Sequence, residues 1–134
     1  MKSMIPRQLL GGGERELGVA GEAFLQGVVL AEVSPSKRAV ATERRIVMLD
    51  GGSQGRETSG AASIFFQVPW SSVYGYWTGV LPFPPELWRE GPEGNVVVLI
   101  LDPGAAGGKD VVIRSNLESW VSASRDAGIP EIVD

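Results

Sequence analysis

The segment Gly104-Ala105-Ala106-Gly107-Gly108-Lys109-Asp110 carries the nearest approach to a chemical motif in this chain: glycines beside a lysine, the composition of a phosphate-cradling loop. The spacing defeats it. A phosphate loop needs a glycine five residues before its Gly-Lys pair, where Pro103 stands, and Ser or Thr after the lysine, where Asp110 stands. It also needs a helix to follow, and Val111–Arg114 reads as a strand. These glycines instead suit a turn that requires φ > 0. Glu86, Glu90 and Glu93 share one stretch, yet nothing places two of them on rigid elements facing a pocket, as paired-carboxylate hydrolysis demands. The chain has no histidine and no cysteine. Ser-His-Asp and Cys-His catalysis, thiolate metal sites and disulfides are thereby excluded. An enzyme would have to work with carboxylates, Lys or Tyr alone, so the chain reads as non-enzymatic, with no cofactor and no metal.

The remaining chemistry-bearing groups are suited to binding. Lys37, Arg38, Arg44 and Arg45 could hold an anion, since guanidinium groups match phosphate geometry. The competing reading is a solvated strand rim, because the four do not form a run. Phe83, Leu87 and Trp88, set among the prolines of Pro82–Trp88, form a preorganised apolar bump with Glu86, Arg89 and Glu90 as a polar rim. Trp is enriched at interface hot spots and stiff segments lose little entropy on docking. That segment either binds a partner or folds back to cap the domain. Trp70, Tyr74, Tyr76 and Trp77 read mainly as core or sheet-packing residues, with a shallow aromatic peptide groove as the alternative. Simple alternation puts Tyr74 and Tyr76 on one side and Trp77 on the other.

The elements that must carry these groups are mostly strands. Strand composition marks Arg45–Leu49, Ile64–Trp70, Ser72–Thr78, Val96–Asp102 and Val111–Arg114, with weaker strand signals over Leu17–Phe24 and Val28–Val33. Val96–Leu101 is apolar on both faces, so both of its sides must be covered. Ile5, Leu9 and Leu10 fit one face of a short helix after Pro6, ended by Gly11-Gly12-Gly13. Residues 51–63 lack the apolar side chains to hold themselves down and read as a mobile loop. From Ser115 a helix begins. Ser115 and Glu118 suit a capping box, and Leu117, Trp120, Val121 and Ser124 share one face. Gly128 and Pro130 end it, and Trp120 is the expected anchor.

The chain has 134 residues, the size of one domain, and a net charge of −4. Residues 68–134 hold 4 basic and 9 acidic side chains. Such a surface repels phosphate-rich partners, so nucleic acid is not expected. The longest apolar run is far short of the roughly 20 residues that a spanning helix needs, and a cytoplasmic protein is the default.

Five stretches carry a family resemblance. Ala39–Leu49 is similar to the paired strands of bacterial pleckstrin-homology-like domains of the GRAM type, with Glu43 where those carry aspartate. Val68-Pro69-Trp70-Ser71-Ser72-Val73 is similar to their corner, without its usual acidic residue. The apolar strand at Val96, the glycine turn with Lys109 and the Trp-bearing helix complete the likeness over residues 26–128. The resemblance implies a mainly β domain: a two-sheet antiparallel β-sandwich or partly open barrel of seven strands, capped by the C-terminal helix. It would span 1–134, with residues 1–25 a helical or irregular extension. It implies binding rather than catalysis; together with the reading of the Pro82–Trp88 segment above, the chain is expected to be a non-catalytic protein-interaction or regulatory module, binding an unknown protein or a second copy of itself through Phe83, Leu87 and Trp88. The alternative it implies is binding of an anionic phospholipid headgroup by Lys37, Arg38, Arg44 and Arg45, with a membrane surface the less favoured partner. A fold shared by so many binders names no ligand, so function rests on the site.

Overall fold

The computed structural model describes residues 5–27, 37–50, 63–82 and 93–133. The expectations for Val28–Val33, the turn at 34–36, the loop at 51–62 and the side chains of Phe83, Leu87 and Trp88 lie outside these residues. Seven strands are present: β1 (Glu16–Gln26), β2 (Lys37–Thr42), β3 (Arg45–Asp50), β4 (Ser63–Pro69), β5 (Val73–Pro82), β6 (Glu93–Leu101) and β7 (Asp110–Ile113). They form one antiparallel sheet in the order β4-β3-β2-β1-β7-β6-β5, not closed into a barrel. A four-residue helix, α1 (Pro103–Ala106), joins β6 to β7, and α2 (Leu117–Asp126) follows β7.

Strand β1 joins the two halves. Its residues Glu16 to Ala23 pair with β2, and Ala23 to Gln26 pair with β7. The extension before the sheet therefore ends at Arg15, and the weak strand signal at Leu17–Phe24 marks a central strand. The chain passes from one sheet edge to the other through a single 3-10 turn, Trp70–Ser72. Trp70 is buried there, and its Nε1–H donates to the Thr42 carbonyl at 2.8 Å. One apolar cluster collects side chains from all seven strands and α2, among them Ala39, Met48, Val68, Tyr76, Leu99, Ile113 and Trp120. The sheet is thus folded over a single core.

Strand alternation puts a second apolar set on the outer faces. Ile5 is buried against Val40, Val47 and Leu49, with Leu9 and Leu10 packed beside it. Residues 5–10, including a 3-10 turn at Arg7–Leu9, thus cover the outer face of β2 and β3. That explains why β3, like β6, has no polar face. On β6, Val97, Leu99 and Leu101 enter the main core, whereas Val96 and Val98 pack outside with Phe24, Val112 and Trp77.

Helix α2 begins differently from the expected capping box. Its N-cap position is Asn116, in the left-handed region (φ 57), with no side-chain cap. Ser115 Oγ accepts from the Glu22 N–H at 2.8 Å, and Asn116 Nδ2 donates to the Ala20 carbonyl at 2.7 Å. The cause is at β1. Its pairing with β7 starts only at Ala23, so the backbone groups of Ala20 and Glu22 need other partners. The helix ends as the sequence indicates. Gly128 (φ 81) donates to Arg125 at 2.9 Å and Ile129 donates to Ser124 at 2.9 Å, the paired bonds of a Schellman motif. The Gly104–Gly108 segment is one helical turn capped by Asp102, with left-handed Gly107 and Gly108 ending it, where a plain hairpin turn was expected.

Candidate binding groove

The four basic residues are not brought together. Lys37 and Arg38 open β2, and Arg44 and Arg45 follow it, so the two pairs lie at opposite ends of the β2–β3 hairpin, roughly 15 Å apart at a strand's rise per residue. Lys37 Nζ pairs with Asp50 Oδ1 at 2.8 Å and lies 4.9 Å from the centroid of the Phe65 ring. Arg38 is exposed. Arg44 donates to the Gly12 carbonyl at 3.2 Å.

Arg45 is committed to Glu14, a partner that the sequence did not suggest. Arg45 Nε donates to Glu14 Oε2 at 2.8 Å and Nη2 to Oε1 at 2.8 Å, a two-pronged pair. The same Nη2 also donates to the Leu9 carbonyl at 2.7 Å, and Nη1 to Gln67 Oε1. Glu14 has two more donors: Thr42 Oγ1 on Oε2 at 2.6 Å and the Gly11 N–H on Oε1 at 2.8 Å. Its side chain is 2 % exposed. The Arg45 bonds, against the opposing effect of burial, hold its pKa down to about 2. This node fastens the segment from Leu9 to Glu14 onto the β2–β3 turn. It is built to hold the fold, and an anionic ligand would have to displace a carboxylate already in place.

A concavity among the described residues is formed by other elements, α2 and the β5–β6 hairpin. It is a groove of about 590 Å³ between the exposed flank of α2 and the far part of the β5–β6 hairpin. From α2 come Leu117 and Val121, half-buried, with Glu118, Ser122 and Arg125 along the rim. From the hairpin come Thr78 and Gly79 opposite Val97 and Val96, with Asn95 beyond. The floor is aliphatic and the rim carries hydroxyl, amide and both signs of charge. Helical spacing accounts for the helix side. Trp120 and Ser124 point into the core, with the Ser124 hydroxyl bonded to the Trp120 carbonyl at 2.8 Å, so the neighbouring positions 117 and 121 are left at the helix margin. Arg125 closes one end. Its Nε donates to Tyr76 Oη at 3.0 Å, and that bond raises the guanidinium pKa.

The sequence placed Leu117 and Val121 on the buried face and did not single out Thr78, Asn95, Ser122 or Arg125. The hairpin register was the missing information, since it decides which strand residues face the helix. The aromatic set is dispersed. Trp70 and Tyr76 are buried, Trp77 is half-buried on the outer face, and Tyr74 is 72 % exposed. A register shift between Val73 and Gly75 breaks the assumed alternation at Tyr74. Phe83, Leu87 and Trp88 belong to the connection between β5 and β6, outside the described residues.

Among the described residues no three acidic side chains converge as a metal site would require. None of the described helices is long and apolar enough to cross a membrane. Asp110 is a positioning group. Its Oδ1 accepts from the Leu101 N–H at 3.0 Å, and burial, opposed by that bond, raises its pKa.

No protein-family model matches the chain. No curated protein matches it. Among solved structures, it is similar to Vav1 inhibited by an allosteric inhibitor, at 13 % sequence identity and a TM-score of 0.45, over 81 % of this chain and 25 % of that one. This chain therefore spans a quarter of that chain's length. The strand order and the terminal helix described above are compatible with the pleckstrin-homology-like fold that the sequence resembles.

Proposed function

We propose that this chain is a non-catalytic protein-interaction module that receives a short segment of another protein in the groove between α2 and the β5–β6 hairpin. The observation that carries this reading is the groove's make-up: an aliphatic floor of Leu117, Val121 and Val97 edged by Thr78, Asn95, Ser122 and Arg125. Such a surface buries apolar side chains and satisfies a peptide backbone at its rim. Among the described lining residues the one carboxylate is Glu118 and the one cation Arg125, and a guanidinium cannot serve as the base that activates a hydroxyl, which supports binding over catalysis. The alternative, an anionic headgroup held by Lys37, Arg38, Arg44 and Arg45, has less support. Lys37 and Arg45 are already paired with Asp50 and Glu14, and the two basic pairs lie at opposite hairpin ends.

The test is selection of peptide ligands on the purified chain, followed by amide chemical-shift mapping. Selected peptides should shift Thr78, Gly79, Asn95 and Val121. Ser122→Trp, which fills the groove from an exposed position, should weaken them at least tenfold. Ligands that shift the β2–β3 turn instead, or that survive Ser122→Trp, would overturn the assignment of the groove. A Trp88→Ala control reads whether the Pro82–Trp88 segment adds to the same surface.

A further inference from the structure

After the Schellman motif the chain turns back along the sheet edge. Strand β5 pairs with β6 on one side, and on the other the tail residues Pro130–Ile132 pair with it in a parallel bridge. The Tyr76 N–H donates to the Pro130 carbonyl at 3.0 Å, and the Ile132 N–H donates to the Tyr76 carbonyl at 2.8 Å. The Ile132 side chain fills a notch that exists only because residue 75 has no side chain. A Cβ on Gly75 would stand 2.6 Å from both Ile132 Cδ1 and Cγ1, and 3.2 Å from the Pro130 oxygen. Around this small contact the tail is open: Pro130, Glu131 and Val133 are exposed.

We propose that this edge of β5 is a strand-addition site with a reading pocket at Gly75, and that the tail is its exchangeable occupant. The ligand class follows from the chemistry of the occupant: an extended segment presenting a carbonyl to the Tyr76 N–H and, two residues later, an aliphatic side chain to the notch. Main-chain bonds to a sheet edge supply affinity and the notch supplies selectivity. The cis contact is small, with two backbone bonds and one half-buried side chain, so a longer segment with the same pattern can displace it. Displacement would also be felt at the groove, because Tyr76 receives the Arg125 hydrogen bond that closes its end. This inference deepens the reading of the chain as a protein-interaction module, but it concerns the sheet edge and stands apart from the groove.

The experiment uses the full isotope-labelled chain and a synthetic peptide with the sequence of residues 128–134. Ile132→Asp empties the notch and frees the edge. In that variant the Tyr76 amide should exchange with solvent at least tenfold faster than in wild type, with the thermal transition nearly unchanged. The peptide, added up to millimolar concentration, should then shift Gly75 and Tyr76. It should bind the wild type at least tenfold more weakly, because the cis tail competes at an effective concentration in the millimolar range. It should bind Ile132→Asp equally well when Ser122→Trp blocks the groove, which separates this site from the groove ligand. No shift at Gly75 or Tyr76 in Ile132→Asp, or equal binding to wild type, would overturn the proposal. If the edge binds nothing while groove-selected peptides still bind, this inference falls alone.

Discussion

The Glu14–Arg45 node makes a sharp prediction because four donors converge on two oxygens. Oε1 receives Arg45 Nη2 and the Gly11 N–H, and Oε2 receives Arg45 Nε and Thr42 Oγ1. Glu14→Gln is therefore not a mild change. Whichever way the amide points, its NH₂ meets two donors where an acceptor stood, and the Arg45 side chain, 18 % exposed, loses its counter-charge. The pKa of about 2, against an ordinary 4.5, corresponds to about 3 kcal/mol at 1.36 kcal/mol per unit. Because the folded value lies below the unfolded one, this contribution is fully present above about pH 4.5 and is lost as the pH falls toward 2. Urea denaturation of the wild type, Glu14→Gln and Glu14→Ala should give both variants a loss of about 2–4 kcal/mol at pH 7. That gap should narrow between pH 4.5 and 2, since the wild type is then losing the same interaction. A pH-7 loss under about 1 kcal/mol, or a gap that stays constant across that acid window, would refute the account of the node.

Two other substitutions probe how α2 is seated. Gly21→Ala puts a Cβ 2.6 Å from the Ser115 carbonyl oxygen and 2.8 Å from Trp120 Nε1, so the helix start must move away from β1. We expect a cost of about 1–3 kcal/mol in denaturant titration, and no measurable cost would mean that the close approach is absent in solution. Trp120→Ala removes a fully buried indole and should cost about 3–5 kcal/mol, whereas an unchanged melting temperature would contradict the packing of α2 on the core.

Much of the scaffold was legible in the sequence because the relevant signals are local. Strand composition marked β3, β4, β5, β6 and β7, and Gly128 with Pro130 marked the end of α2. What escaped depends on neighbours distant in the chain. Ser115 and Glu118 have the spacing of a capping box, yet the backbone of β1, 93 residues from Ser115 in sequence, takes the Ser115 hydroxyl. Arg45 read as one of four basic residues that could hold an anion or line a strand rim, and only the folding back of residues 9–14 reveals its counter-ion. Tyr74 was misplaced by a bulge, which inserts one residue and breaks the two-residue period.

The same distinction separates the surfaces that stabilise from those that can bind. Around Arg45 every strong donor has a partner, and the segment it fastens buries Ile5 against β2 and β3, so exchange there would dismantle packing. Around α2 and β5 the arrangement is looser: half-buried Leu117 and Val121, exposed Thr78, and a tail held by two backbone bonds and one side chain in a notch. Leu117 and Val121 lie at the margin of the core that holds Trp120, Leu99 and Ile113, whereas Ile5 is fully buried. Binding without unfolding requires surfaces of that kind, and under the two proposals above α2 and the β5 edge would supply them, linked by the Arg125–Tyr76 hydrogen bond.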